Sequence, residues 1–131
     1  MDEQMREWFE EQKIADVYNK NTFNVDGIVE PKCYDHKILF VLKEANDTVS
    51  DGVIDQIESY RDTAKGKGDG FKNAAIKRRL ARMYKVASNR NDLEDAEALK
   101  HVAYINLKKT SGAGRTNIAD VKEYVCKFKN I

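Results

Sequence analysis

Two stretches of the chain carry an apolar run straight into a polar cluster: KILFVLKEAND over residues 37–47 and VAYINLKKTSGAGRTN over residues 102–117. Both runs are continuously apolar rather than cleanly alternating, so each reads as a strand buried on both faces, over 37–43 and 102–107. The segments around them follow a helical period. Met5, Trp8, Phe9, Gln12, Ala15 and Tyr18 predict an amphipathic helix over 2–19. Residues 19–35, rich in Asn, Asp and Gly, read as a connection with a short extended piece. Asp51 is placed to cap a helix over 52–64 that gathers Val53, Ile54, Ile57 and Tyr60 on one side. KGKGDG then makes a flexible turn, since no strand precedes it. A helix over 71–89 clusters Ile76, Leu80, Met83 and Ala87, with Arg78, Arg82 and Lys85 opposite. Asp92 caps a short helix to Lys100, and Asn117, with Asp120 three residues on, caps a last helix over 117–129. Ile118, Val121, Val125 and Phe128 form its apolar stripe.

Strands separated by helices imply a single α/β domain over 1–131, three-layer α/β/α with a small, mainly parallel sheet. Two strands alone make a marginal sheet. Either a further strand lies in 22–34 and near the C-terminus, or sheet edges pair between chains, giving a homodimer or a partner chain that completes the sheet. In such sheets ligands sit beyond the carboxyl ends of the strands. Glu44, Asn46 and Asp47 end the first strand and Asn106 to Thr110 the second, so both groups are expected to line one crevice.

Charge changes the picture along the chain. The formal net charge is only +1, yet residues 1–60 hold 6 Lys/Arg against 14 Asp/Glu and residues 61–131 hold 17 against 8. Residues 71–90 carry seven basic side chains and no acid. Such a face can track a nucleic-acid backbone; the alternatives are a solvated helix face and attraction between the two halves. No aromatic residues interleave it as a stacking platform would require. No apolar run is long enough for a membrane span. The acidic N-terminus does not read as a secretory leader, and two cysteines make no disulfide framework, so a cytoplasmic location is expected.

At the two strand ends the sequence resembles the uracil-DNA glycosylase-like superfamily. Lys43, Glu44, Ala45, Asn46 and Asp47 stand where its smaller members carry a Gly-Glu-Ala-Pro-Gly type motif, and YINLKKTSGAGRTN matches its Asn-bearing segment. The resemblance covers roughly residues 37–117. It implies that Glu44 positions or polarises the attacking water and that Asn106 hydrogen-bonds a flipped base; Asp47, at the same strand end, joins them as a candidate catalytic residue. Those roles suit the chemistry, since glycosidic hydrolysis needs a carboxylate near an oxocarbenium-like centre and an amide can serve a base edge. The chain departs from the family at Lys43, Asn46 and Asp47, and lacks both its later His-bearing segment and the cysteines of iron–sulfur members. The expectation is therefore a nucleic-acid- or nucleotide-binding module with weak or no base excision. An active DNA glycosylase and a protein-interaction module dimerising through a shared sheet remain as alternatives.

SGAGRTN also reads two ways: as a turn and helix cap, or as a phosphate contact through Gly112, Gly114 and Arg115 beside Lys108 and Lys109. Cys33 and His36 have half of a metal-ligand spacing, but His101 and Cys126 are scattered, so neither a metal nor a cofactor is expected.

Overall fold

The computed structural model describes residues 3, 7, 10, 23–44, 53–54, 56–67, 71–72, 74–108 and 117–128. Its elements are β1 (Phe23–Asn24), β2 (Gly27–Ile28), β3 (Leu39–Glu44), β4 (Val53–Ile54), α1 (Gln56–Ala64), α2 (Ala75–Ala87), α3 (Asp95–Lys100), β5 (Ala103–Lys108) and α4 (Ile118–Phe128). This is a small α/β fold with a mixed three-stranded sheet in the order β2-β5-β3 and a separate two-stranded pair, β1-β4. Of the two alternatives for completing the sheet, a further strand within 22–34 is present as β2, antiparallel to β5 with Gly27 opposite Tyr104 and Ile28 opposite Ala103, while the described residues near the C-terminus, Ile118–Phe128, are helical. The backbone gathers into two units, 27–40 with 56–104, and 1–26 with 41–55 and 105–131.

In the first of these, α1 and α2 both pack on α3. Ile57, Leu80, Leu99, Val102 and Tyr104 are almost completely buried, and the Tyr60 and Tyr104 rings stack with centroids 4.5 Å apart. Arg61 joins α1 to the strand segment: its Nε and Nη2 donate to the carbonyls of Val29 and Ile28, each at 3.0 Å. Both longer helices stop in the same way. At α1 the Lys67 N–H reaches the Asp62 carbonyl and Gly66 that of Thr63; at α2 Arg90 reaches Lys85 and Asn89 reaches Val86. These are the paired bonds of a Schellman ending, which needs a left-handed residue just past the helix. Gly66 at φ 72° and Asn89 at φ 56° supply it.

Three helix expectations need correction. Val53 and Ile54 do not open α1. They pair in parallel with Phe23 and Asn24, and the helix begins at Gln56. Two consecutive β-branched residues lose little in a strand and more in a helix, so a neighbouring strand decides the matter. In α2 the buried face is Leu80, Ala81 and Tyr84, while Ile76 (41% exposed), Met83 (48%) and Ala87 lie outside. The face is turned toward Tyr84, whose ring buries more area than Met83 or Ala87 would and stacks on His101 at 5.2 Å. Asp92 likewise caps nothing: it pairs with Arg90, and Glu94 stands at the start of α3.

In the other unit, Asn117 caps α4 as expected. Its Oδ1 accepts the Ala119 N–H at 3.0 Å and its Nδ2 donates to Asp120 at 2.8 Å. Val121 of the expected stripe is buried, whereas Ile118 and Val125 are partly exposed and the Phe128 side chain lies outside the described set. Glu3, Glu7 and Glu10 are helical and exposed, one acidic row of the helix expected over 2–19.

Candidate nucleic-acid interface

The expected crevice is described only in part. Glu44 ends β3, but its side chain, with Asp47, Lys109, Gly112, Gly114 and Arg115, lies outside the described residues. Asn106 is described, and it is interior: 2% exposed on β5, with its backbone N–H donating to Asp26 Oδ2 at 2.6 Å. Asp26 and Asn24 are both 0% exposed, so the strand meets a buried polar group rather than open solvent. A buried carboxylate that accepts a backbone N–H is a strong strut, because losing it strands a donor away from water. Asp26 escaped notice in the sequence. Its one signal was an acid between Val25 and Gly27, in a segment otherwise read as a connection. Lys108 follows on β5, with Nζ 5.8 Å from the centre of the Tyr124 ring.

The basic residues of α2 divide into three roles. Lys77 is half-buried and faces α1, where its amine donates to Ser59 O at 2.8 Å, Ser59 Oγ at 2.7 Å and Thr63 Oγ1 at 2.8 Å. Burial pushes its pKa below the ordinary lysine value, with Asp62 acting in the opposite direction. All three amine protons are engaged, so this lysine braces the fold. Lys85 and Arg82 share one acid from α3: Asp95 lies 3.1 Å from Lys85 Nζ and 3.4 Å from Arg82 Nε. The face that carries no acid of its own is therefore partly compensated by a neighbouring helix. Arg78, whose Nη2 donates to the Phe71 carbonyl at 2.6 Å, completes the anchored set.

Arg79 is exposed and has no acidic partner among the described residues. It lies with Arg78 and Arg82 around an open groove of about 640 Å³ whose described lining also includes Ala75, Met83, Val86 and Ala87. Electrostatics at the start of the helix add to this. Ala74 offers no side-chain cap and the first turn holds no acid, so the helix itself brings nothing to counter the positive end of its dipole. Helical periodicity picks out Arg78 and Arg82 but groups Lys85 with them and misses Arg79, because it puts the buried face too near Met83.

Elsewhere, no group of three or more potential metal ligands occurs among the described residues, where Cys33 and Cys126 are free thiols. No helix of the described residues is long and apolar enough to cross a membrane. No family model, curated protein or solved structure matches the chain.

Proposed function

We propose that this chain is a nucleic-acid-binding module, a divergent relative of the uracil-DNA glycosylase-like superfamily with weak or no base-excision activity, and that it binds through the outer face of α2. The observation that carries the reading is the cluster of Arg78, Arg79 and Arg82 about one open groove, on a helix without an acid. Guanidinium groups bind phosphate oxygens through two parallel N–H donors. One carboxylate, Asp95, shared between Arg82 and Lys85 leaves the face net positive. The burial of Asn106 supports the non-catalytic part: an amide that reads a base edge must reach it, and this one is 2% exposed. The finer architecture, three layers about a mainly parallel sheet, belongs to the same proposal. The order of helices and strands from β4 to α4 supports it, with antiparallel β2 as its exception.

Binding is tested by anisotropy of labelled DNA and RNA oligonucleotides against salt. Affinity should fall steeply, with log K losing roughly 0.7–0.9 per phosphate contact for each tenfold rise in salt. Replacing Arg78, Arg79 and Arg82 together with Ala should flatten that slope by two to three contacts for every sequence. Salt-insensitive or absent binding by the unsubstituted protein would reject the reading. An abasic-site assay on uracil-containing DNA covers the catalytic half, where robust cleavage would reject weak or absent excision.

A second reading has its own observation. β3 stands at the end of the described sheet and exposes Leu39 (52%) and Val41 (59%). An end strand with exposed apolar side chains is a template for pairing, so a second copy completing the sheet there is the protein-interaction alternative. Val41→Lys should shift a dimer toward monomer in sedimentation; a chain already monomeric at all concentrations removes the alternative.

A further inference from the structure

Building on the nucleic-acid reading, we infer that the α2 groove takes unpaired strands: bases lie against Met83 and Val86 while Arg79 and Arg82 hold the flanking phosphates, with little preference for sequence.

A duplex offers its binding partner a phosphate surface and two polar grooves, and the flat faces of its bases are stacked inside. A face made for duplex phosphates has no use for an apolar floor. The outer face of α2 has one: Val86 is 74% exposed, Met83 48% and Ile76 41%. Positions 79, 82, 83 and 86 fall at helical spacing on the same side, so two guanidinium and two apolar side chains share one face. Unpaired bases match that combination, since each presents a flat apolar face between two phosphates. Guanidinium planes themselves stack on bases, and a methionine thioether is polarizable and favours contact with aromatic rings. These side chains supply what the missing aromatic residues would in a more usual stacking platform.

The anchoring of the guanidiniums fits the same use. Arg78 is held by the Phe71 carbonyl and Arg82 by Asp95, so each is oriented before a ligand arrives. A guanidinium has five N–H donors, and these single contacts leave donors for phosphate. The groove volume of about 640 Å³ lies within the range of small-ligand sites, roughly 300–1,000 Å³. Its described lining holds no carboxylate, amide or hydroxyl side chain. Amino groups of adenine and cytosine find no side-chain acceptor among these described residues, which is why sequence preference should be weak.

The test compares one labelled single-stranded oligonucleotide with the same strand annealed to its complement. The single strand should bind ~10-fold more tightly or better, the scale of one base stacking, and homopolymers should agree within about threefold. Met83→Ser with Val86→Ser, both at exposed positions, should lower single-strand affinity ~10-fold and leave duplex binding within about twofold. Duplex binding equal to or tighter than single-strand binding, or a double variant that loses nothing, would overturn the inference while nucleic-acid binding stands. Absence of salt-sensitive binding to either form removes the underlying reading as well. The acidic synthetic peptide of residues 1–19 gives the remaining arm: if it binds the groove and oligonucleotides do not, the occupant is an acidic amphipathic helix and the inference fails.

Discussion

The end of β5 and the outer face of α2 break the usual distribution of polar and apolar groups in opposite directions. At Asn106 and Asp26 polar side chains are fully interior, joined by a 2.6 Å bond from the Asn106 backbone N–H to the Asp26 carboxylate. On α2 the apolar side chains of Met83 and Val86 face outward among arginines. Exposed single apolar residues mean little, but a buried polar group or a contiguous apolar face calls for a physical reason. Hydrogen bonding supplies that reason at β5. On α2 no partner covers these side chains among the described residues, and that is the difference between a strut and a binding surface.

The largest effect that can break this comparison lies on α2 itself. Leu80→Ala should cost about 2–5 kcal/mol in denaturant unfolding, while Met83→Ala, three residues on but exposed, should stay within about 0.5 kcal/mol. Equal losses would mean that the outer face is packed after all. Asp26→Ala comes next, at about 1–3 kcal/mol, because the Asn106 N–H loses its interior acceptor; a neutral result would mean that water replaces the carboxylate. Gly66→Ala should lose about 1 kcal/mol: a new Cβ meets nothing within 4 Å, yet φ of 72° strains any side chain there. Asp95→Asn should leave stability nearly unchanged and raise oligonucleotide affinity a few-fold, by releasing Arg82 and Lys85 from their shared carboxylate.

The smallest effect concerns Lys77. Its pKa is lowered in the fold, so at alkaline pH between the folded and unfolded values the unfolded chain binds more protons, and stability rises with pH. Lys77→Met should flatten that rise relative to the unsubstituted protein. An identical pH profile would place the amine in solvent.

Local pattern made much of the fold legible. The cores of both long strands, the Asn117 cap and the existence of α2 all follow from apolar runs or from a capping residue beside its target. What periodicity could not show depends on distant partners. Val53 and Ile54 become a strand only because Phe23 and Asn24 lie alongside. The buried face of α2 is set by the site into which Tyr84 fits, and Arg61 finds its acceptors at Ile28 and Val29, more than thirty residues earlier. For the site, composition gave the basic stretch but not its division. Asp95, which compensates Lys85 and Arg82, sits on another helix, and the three acceptors of Lys77 sit on α1 and at its backbone. Asp26 was hidden for the same reason: its partner is eighty residues away.

The molecule carries an interior polar strut and an open arginine-lined surface, and chemical-shift mapping tests that contrast most directly. A single-stranded oligonucleotide is titrated into protein labelled at methyl, arginine Nε and asparagine amide groups. Shifts are predicted at Met83, Val86, Arg79 and Arg82, with the Asn106 amide unmoved. Shifts centred on Asn106, with α2 silent, would contradict the account and place the ligand at the strand end.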